Sequence, residues 1–506
     1  MVGLGSRLGP LLTVAMFLLL CVWYWPFVAD DAFIVGRYAL NAADGIGLVY
    51  NPGEYVSALT SPLHALFETG LAFFTDDPVS AYRLLAPLFP IVSVVAAMRI
   101  AGLRGPAATL FFVVALTSPF LAVWTVGGLE TPMLFALIAL YVAVLVRIGR
   151  RQSATSHDFI FLGLLAGLAF LTRYDSIFVV LPPMLALAVL YWRQAALWGG
   201  AAISLAIAGS WLAFAYFYFG DVVPTSAYVK LGFYRNPEIY NFYTVINFVI
   251  VTGLVILVPL ATIRKGEGQV ARALYAGVVC SLVLFTLYAL RASGQHMMFG
   301  YRLFVPYLPA VAMILAIFTQ DRASRSVAIA AVLNVFLAIG VGVVGISLSP
   351  VSKLPGLEQA YQEMQRTTPK VYGKFIDILK QDAQDLNDHW ASTGQTTTPR
   401  IFLYTGGTGY WMRGFDVLEV LLSYRHNCVE KDGAILSSVH YIQDFGDLPL
   451  NRTYMEFFSA RSDALDDAST LSESELVLGY PTYIRYAYAP NPGPFRLPDT
   501  VNGPCD

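Results

Sequence analysis

Long apolar runs separated by short polar connections fill residues 1–349, and the pattern changes after SLSPVSKLPG. A membrane-crossing helix needs about 20 mostly apolar residues. Such runs lie at 9–28, 79–101, 106–124, 130–147, 158–172, 175–192, 195–219, 242–262, 273–291, 301–319 and 326–349, which predicts eleven spans. The stretch 61–75 (SPLHALFETGLAFFT) is apolar but short, and reads as a twelfth span or a helix lying in the interface. Residues 350–506 hold text such as QDAQDLNDHW and RSDALDDAST, which belongs to a water-soluble domain of ordinary size. There Val371, Phe375, Leu379, Ala383, Leu386 and Trp390 recur at helical spacing, predicting an amphipathic helix over 370–390. RIFLYT and SELVLGY read as strands, so the expected unit is a small α/β domain.

The placement of cations orients the membrane part. If 61–75 does not span, the cytoplasmic segments collect twelve Lys or Arg, among them Arg147, Arg150, Arg151, Arg264 and Lys265. The outer segments then collect seven: Arg37, Arg83, Arg173, Lys230, Arg235, Arg291 and Arg302. If 61–75 spans, RIGRRQ and IRKGEGQVAR move outside, so the eleven-span arrangement is preferred. It puts the N-terminus inside and places 30–78 and 350–506 outside. The first run lacks an A-x-A site and reads as a retained span.

Composition agrees with this. Hydrophobic residues make up 57% and charged residues 13%, with a mean hydropathy of +0.60. Soluble proteins carry about 25% charged residues. A soluble enzyme or a disordered chain is excluded, and 32 Lys+Arg against 34 Asp+Glu gives no basic surplus for nucleic acid. Four cysteines are too few for a disulfide framework.

The same topology gathers chemistry on the outer face. Asp30 and Asp31 stand at the top of the first span, and Glu130 lies in GGLETP. Arg173 and Asp175 lie in TRYDS, Lys230 in GDVVPTSAYVK, and Gln295, His296 and Arg302 in SGQHMMFGYR. Ionisable groups beside a membrane are costly and default to function. Each also admits a structural role. An aspartate of ADDAF fits a helix N-cap, with Gly45 as terminator. Glu130 could complement a helix dipole, Arg173 and Asp175 could pair, Lys230 could snorkel, and His296 could be a packing residue. Arg302, inside GYRLFVPYLP, needs an anionic partner if buried. TGGTG at 405–409 reads as a structural turn.

These outer-face segments resemble the GT-C superfamily of polyprenyl-phosphate-dependent glycosyltransferases, and within it the branch of the mycobacterial terminal arabinofuranosyltransferase. The resemblance is carried by DDAFIVGRYALNAADGIGLVYNPGEYVSALTSPLHALF at 30–67, GGLETPMLFALIAL at 127–140, LTRYDS at 171–176, GDVVPTSAYVK at 220–230 and GYRLFVPYLP at 300–309. It implies a multi-span helical transferase in the bacterial inner membrane. Such an enzyme takes a sugar, arabinofuranose for this branch, from a polyprenyl-phosphate lipid. It places the sugar on a glycan, lipid or protein acceptor at the outer face, with membrane lipid as its surroundings. The catalytic carboxylate of the first outer loop corresponds to Asp30–Asp31. Relatives often carry an acidic residue before the histidine segment, where this chain has Gln295, which weakens a metal role for that loop. No cofactor is established by the sequence, and a divalent metal stays open.

The residue chemistry fits independently. Glycosyl transfer passes through an oxocarbenium-like state and needs a carboxylate near the attacking hydroxyl. The departing phosphate needs charge-assisted donors, for which Arg302, Lys230 and His296 are the candidates. Glu130, Arg173, Asp175 and Gln295 are candidate substrate contacts. A secondary transporter is the competing reading, but its charges would lie near mid-bilayer and its halves would repeat. The topology is checked by cysteine labelling from outside: residues placed at 400–500 should react and those at 148–156 should not.

Overall fold

A computed structural model describes residues 2–225, 268–292, 302–320, 369–392, 400–402, 408–418, 428–431 and 434–437. The described chain is mainly helical. It runs through α1 (Val2–Trp23), α2 (Asp30–Ala43), α3 (Pro62–Ala72), α4 (Pro78–Leu85), α5 (Leu88–Ala101), α6 (Gly105–Leu116), α7 (Pro119–Val126), α8 (Thr131–Arg151), α9 (Ser156–Thr172), α10 (Ile177–Tyr191) and α11 (Ala195–Phe219). Helices Gln269–Ala292, Leu308–Gln320 and Pro369–Ser392 follow.

Among the described residues five helices are long and apolar enough to cross a membrane: 78–101, 131–151, 174–191, 195–219 and 269–289. The pair α6–α7 makes a sixth, bent by 53°. The bend falls at Ser118–Pro119, where proline lacks an N–H and holds the preceding residue extended. The run predicted as one straight span over 106–124 is therefore a broken one. Shorter apolar helices cover 9–23, 156–172 and 305–317. The spans expected at 242–262 and 326–349 lie outside the described residues. The ambiguous stretch 61–75 forms α3, only 11 residues long. At about 1.5 Å per residue it is roughly half the hydrocarbon thickness.

α8 is buried along most of its length, as an apolar helix without a polar face must be. It packs against α5, α9 and the helices 269–292 and 308–320. α9 and α11 approach closely because Gly163 and Gly200 face each other: a Cβ on Gly163 would fall 2.0 Å from the Gly200 carbonyl oxygen. Small residues let membrane helices meet backbone to backbone.

One end of this bundle holds α2 in place. Buried Arg83 donates to the carbonyls of Val126 at 2.6 Å and Phe27 at 2.9 Å, and also to that of Trp25. These bonds gather the turn after α1 and the end of α7. The Ala29 amide donates to Gly127 O at 2.9 Å, so α2 starts against the glycine turn. Ala29 is the N-cap, without a side-chain capping bond, and Asp30 and Asp31 are the first two helical residues. The expectation that one aspartate caps α2 is thus corrected. The tight seating of Ala29 on Gly127 takes the cap position, and both carboxylates fall in the first turn, where they complement the helix dipole. Gly45, with φ +76, terminates α2 as expected.

In the C-terminal region the helix expected over 370–390 is Pro369–Ser392, with Ile376, Leu379 and Ala383 buried. Two short parallel strands follow, Arg400–Phe402 and Asp416–Leu418, and an antiparallel pair, Cys428–Lys431 with Ala434–Ser437. The first of these opens RIFLYT; SELVLGY lies outside the described residues.

Gly128 tests how α2 is seated. Its φ is +80, and a Cβ there would meet Ala32 Cβ at 2.9 Å. Gly128→Ala should cost about 1–3 kcal/mol, read as a lower thermal midpoint in detergent. Gly70→Ala, at an exposed position of α3 with nothing within 4 Å, should be neutral or stabilising.

Candidate active site

Four chain segments converge at one end of the bundle: the first turn of α2, the turn 127–130 before α8, the turn 172–176 between α9 and α10, and Arg302–Tyr307 before the helix 308–320. Their charged side chains form one connected cluster. The Glu130 carboxylate sits at its centre, with a side-chain exposure of 3%. Arg302 donates from Nη2 to Oε1 at 3.1 Å and to Oε2 at 3.2 Å. Arg173 donates from Nη1 to Oε1 at 3.2 Å. Arg173 also grips Asp175 with Nε at 3.0 Å and Nη2 at 2.5 Å, a bidentate pair. Arg302 Nη1 lies 3.7 Å from Asp31 Oδ2, and its guanidinium stands over the Trp124 ring, 5.3 Å from the centroid. Asp31, with 24% of its side chain exposed, is the most accessible member of the cluster.

Local sequence explains each position. Gly127 and Gly128 allow the turn before α8 to lie on α2, which brings Glu130 level with Asp31. Arg173 follows α9 in an extended conformation (φ −157, ψ 126), so its side chain leaves the helix direction. Asp175 stands in the 3₁₀ turn Tyr174–Ser176 two residues on. The proline at 306 lies in another 3₁₀ turn that starts the helix 308–320 and leaves Arg302 just before its N-terminus.

Further polar groups are buried nearby. Arg302 Nε, Tyr307 OH, Thr131 Oγ1 and Ser176 Oγ are shielded from solvent and have no hydrogen-bond partner among the described residues. Buried polar groups are seldom left unpaired, and exceptions concentrate where ligands or waters bind. Beneath lies the fully buried pair His64–Glu68, one helical turn apart, with Nε2 3.2 Å from Oε1. The His64 ring packs edge-on against Tyr82, whose hydroxyl donates to Leu129 O at 3.0 Å. Burial pushes the Glu68 carboxyl up, and the neighbouring His64 opposes this.

Of the residues singled out from sequence, Asp31, Glu130, Arg173, Asp175 and Arg302 come together. Asp30 shares the helical turn of Asp31. Lys230, Gln295 and His296 lie outside the described residues. Sequence reasoning missed Trp124, Tyr307, His64 and Glu68; only the last two left a trace, in the i,i+4 spacing of HALFE. Among the described residues no group of three or more His, Cys, Asp or Glu could hold a metal ion.

No protein-family model matches the sequence, and no curated protein matches it. The described fold does have solved counterparts. The crystal structure of ArnT from Cupriavidus metallidurans bound to undecaprenyl phosphate aligns with a TM-score of 0.54 over 81% of this chain and 85% of that one, at 15% identity. The apo structure of the same protein aligns at 0.51 over 80% and 85%, at 17% identity. The chain folds like ArnT. At this identity the likeness establishes architecture alone: a helical, polytopic membrane fold like that of ArnT.

Glu130 is the residue on which the cluster turns. Glu130→Ala leaves the Arg302 guanidinium with only the longer Asp31 contact, and breaking a buried pair costs about 3–5 kcal/mol. Glu130→Gln keeps an acceptor oxygen and should cost less. Thermal unfolding of both variants in detergent should rank them in that order.

Proposed function

We propose that this chain is an integral-membrane glycosyltransferase of the outer face of the bacterial inner membrane. It moves a sugar from a polyprenyl-phosphate donor to a hydroxyl of a glycan, lipid or protein acceptor. The sugar class favoured by the sequence resemblance is arabinofuranose. In this reading 1–349 is the catalytic membrane unit and 350–506 the outer domain that covers the site or holds the acceptor.

The observation that carries the reading is the contact between Asp31 and the Glu130-bound Arg302. It sets a partly exposed carboxylate beside a guanidinium that keeps hydrogen-bonding capacity in reserve. Transfer needs both at one carbon atom. Asp31 takes the proton of the acceptor hydroxyl as its oxygen bonds to the anomeric carbon. The bond from that carbon to the phosphate oxygen breaks, and the phosphate leaves with the electron pair. Arg302 stabilises the charge that develops on it. Lys230 and His296 are the further cations proposed for that phosphate. Glu130, held by two arginines, positions Arg302; Arg173, Asp175 and Gln295 are proposed to shape the substrate pocket. A fold shared with a protein solved with undecaprenyl phosphate bound supports a lipid phosphate as the leaving group. Such a lipid enters sideways from the bilayer, and the cluster stands at the outer ends of the spans that would admit it.

The test follows radiolabelled decaprenyl-phosphate arabinofuranose in membranes containing the protein. Label should pass to an acceptor. Asp31→Asn should abolish transfer while leaving expression and thermal stability near normal, since a general base contributes about 10²–10⁴-fold. Asp30→Asn should do less. Wild-type turnover by both variants would remove the catalytic role of this motif.

A further inference from the structure

α2 carries two faces with different jobs. Residues 30, 33, 37 and 41 recur at three- and four-residue spacing and form one stripe, while Asp31 begins the neighbouring one. Asp31 faces Arg302 of the bundle. The other stripe meets a segment from the far end of the sequence, residues 408–415.

Arg37, about 1% exposed, is the centre of that contact. Its Nη1 donates to Gly409 O at 2.5 Å and Met412 O at 3.3 Å, and its Nη2 to Phe415 O at 2.8 Å. Its Nε donates to Tyr50 O at 2.7 Å and its Nη2 also to Asn51 Oδ1 at 3.1 Å. One guanidinium thus closes the ends of a short helical turn and ties it to the loop after α2. Asn41, one turn on, donates to Val49 O at 2.9 Å and Tyr50 O at 3.0 Å.

Aromatic packing continues the contact toward the aspartates. Phe33 meets the rings of Trp411 and Tyr410 at 4.5 and 5.2 Å, and the Tyr410 hydroxyl donates to Asp77 Oδ1 at 3.0 Å. The fit leaves no slack. A Cβ on Gly36 would fall 2.8 Å from the Tyr410 ring, and one on Gly409 would fall 2.1 Å from the Tyr50 hydroxyl. Asn387, on the helix Pro369–Ser392, donates to Trp411 O at 2.9 Å, which anchors the segment from the other side.

We propose that Thr408–Phe415 is a positioning element of the transferase site: through Arg37 and Phe33 it fixes the rotation of α2 and so the aim of Asp31 at the sugar-bearing carbon. Arg37, Tyr410 and Trp411 are positioning residues and touch no reacting atom. The role rests on the transferase reading for its effect on turnover, but not for its effect on α2. The Ala29–Gly127 bond and the Asp31–Arg302 contact hold the first turn of α2, and the 408–415 contact braces its other stripe, so that rotation of the helix is resisted from both sides.

The test uses the full chain in detergent and in membranes, with Arg37→Lys, Trp411→Ala and Trp411→Phe. Lysine has one ammonium and cannot reach three carbonyls on one side and two acceptors on the other. Backbone amide exchange across 30–43 should rise about tenfold in Trp411→Ala and Arg37→Lys and stay at the wild-type rate in Trp411→Phe, with the helices 131–151 and 195–219 unchanged in all three. In the decaprenyl-phosphate arabinofuranose assay, kcat should fall at least tenfold in the first two with KM for the donor within twofold, and Trp411→Phe should retain turnover. Unchanged exchange across 30–43 overturns the proposal whatever the activity. Faster exchange with unchanged kcat overturns the positioning role and leaves only a packing contact. Absent transfer by the wild type counts against the transferase reading alone, and the exchange experiment still decides whether 408–415 holds α2.

Discussion

A carboxylate buried among apolar helices persists only if cations meet it, because an isolated charge taken out of water costs many kcal/mol. Glu130 satisfies this through two guanidiniums that arrive from distant parts of the chain. One follows α9, the other precedes the helix 308–320, and Glu130 itself immediately precedes α8. Their pairing therefore fixes three helix ends at one level. The geometry of the site is a by-product of that constraint. Once Arg302 is held by Glu130, the seating of α2 on Gly127–Gly128 brings Asp31 to its other side.

The membrane architecture was legible because its signal is physical and strong. Apolar runs of about 20 residues have few alternative structures. The site was legible in part for the same reason: Asp31, Glu130, Arg173, Asp175 and Arg302 are charges in apolar text, and such charges must find one another. What the sequence hid is what depends on close approach rather than on composition. Nothing in ADDAF says that Ala29, and not an aspartate, takes the N-cap; that follows from its amide reaching Gly127 O. Arg37 read as one more outer cation, since three of its partners are backbone carbonyls more than 370 residues away, which carry no residue identity. His64–Glu68 had the right spacing but no feature marking it as buried.

Electrostatics in such a place are sharpened by the medium. Charges that interact weakly in water interact several-fold more strongly where water is excluded. Three carboxylates and two guanidiniums share the cluster, so it carries one uncompensated negative charge when all are ionised. A phosphate bound there would add more. In the proposed transferase the cluster would accept it only with another cation or a proton, which is the physical reason for proposing Lys230 and His296 alongside Arg302.

The two arginines are not equivalent in what they can offer a ligand. Arg173 commits Nε and Nη2 to Asp175 and Nη1 to Glu130, so each of its nitrogens already serves a carboxylate. Moving it would release Asp175 and Glu130 together. Arg302 spends one nitrogen, Nη2, on Glu130. Its Nη1 is at the longer distance of 3.7 Å from Asp31, and its Nε is buried without a hydrogen-bond partner among the described residues. The face of Trp124 holds its plane without consuming a donor. Arg302 can therefore bind an anion through Nε and Nη1 while Glu130 keeps it in place. A preorganised donor of that kind acts on a developing charge without first paying to reorganise. In the proposed transferase, burial and pairing suit Arg173 to bracing the site and Arg302 to meeting the phosphate.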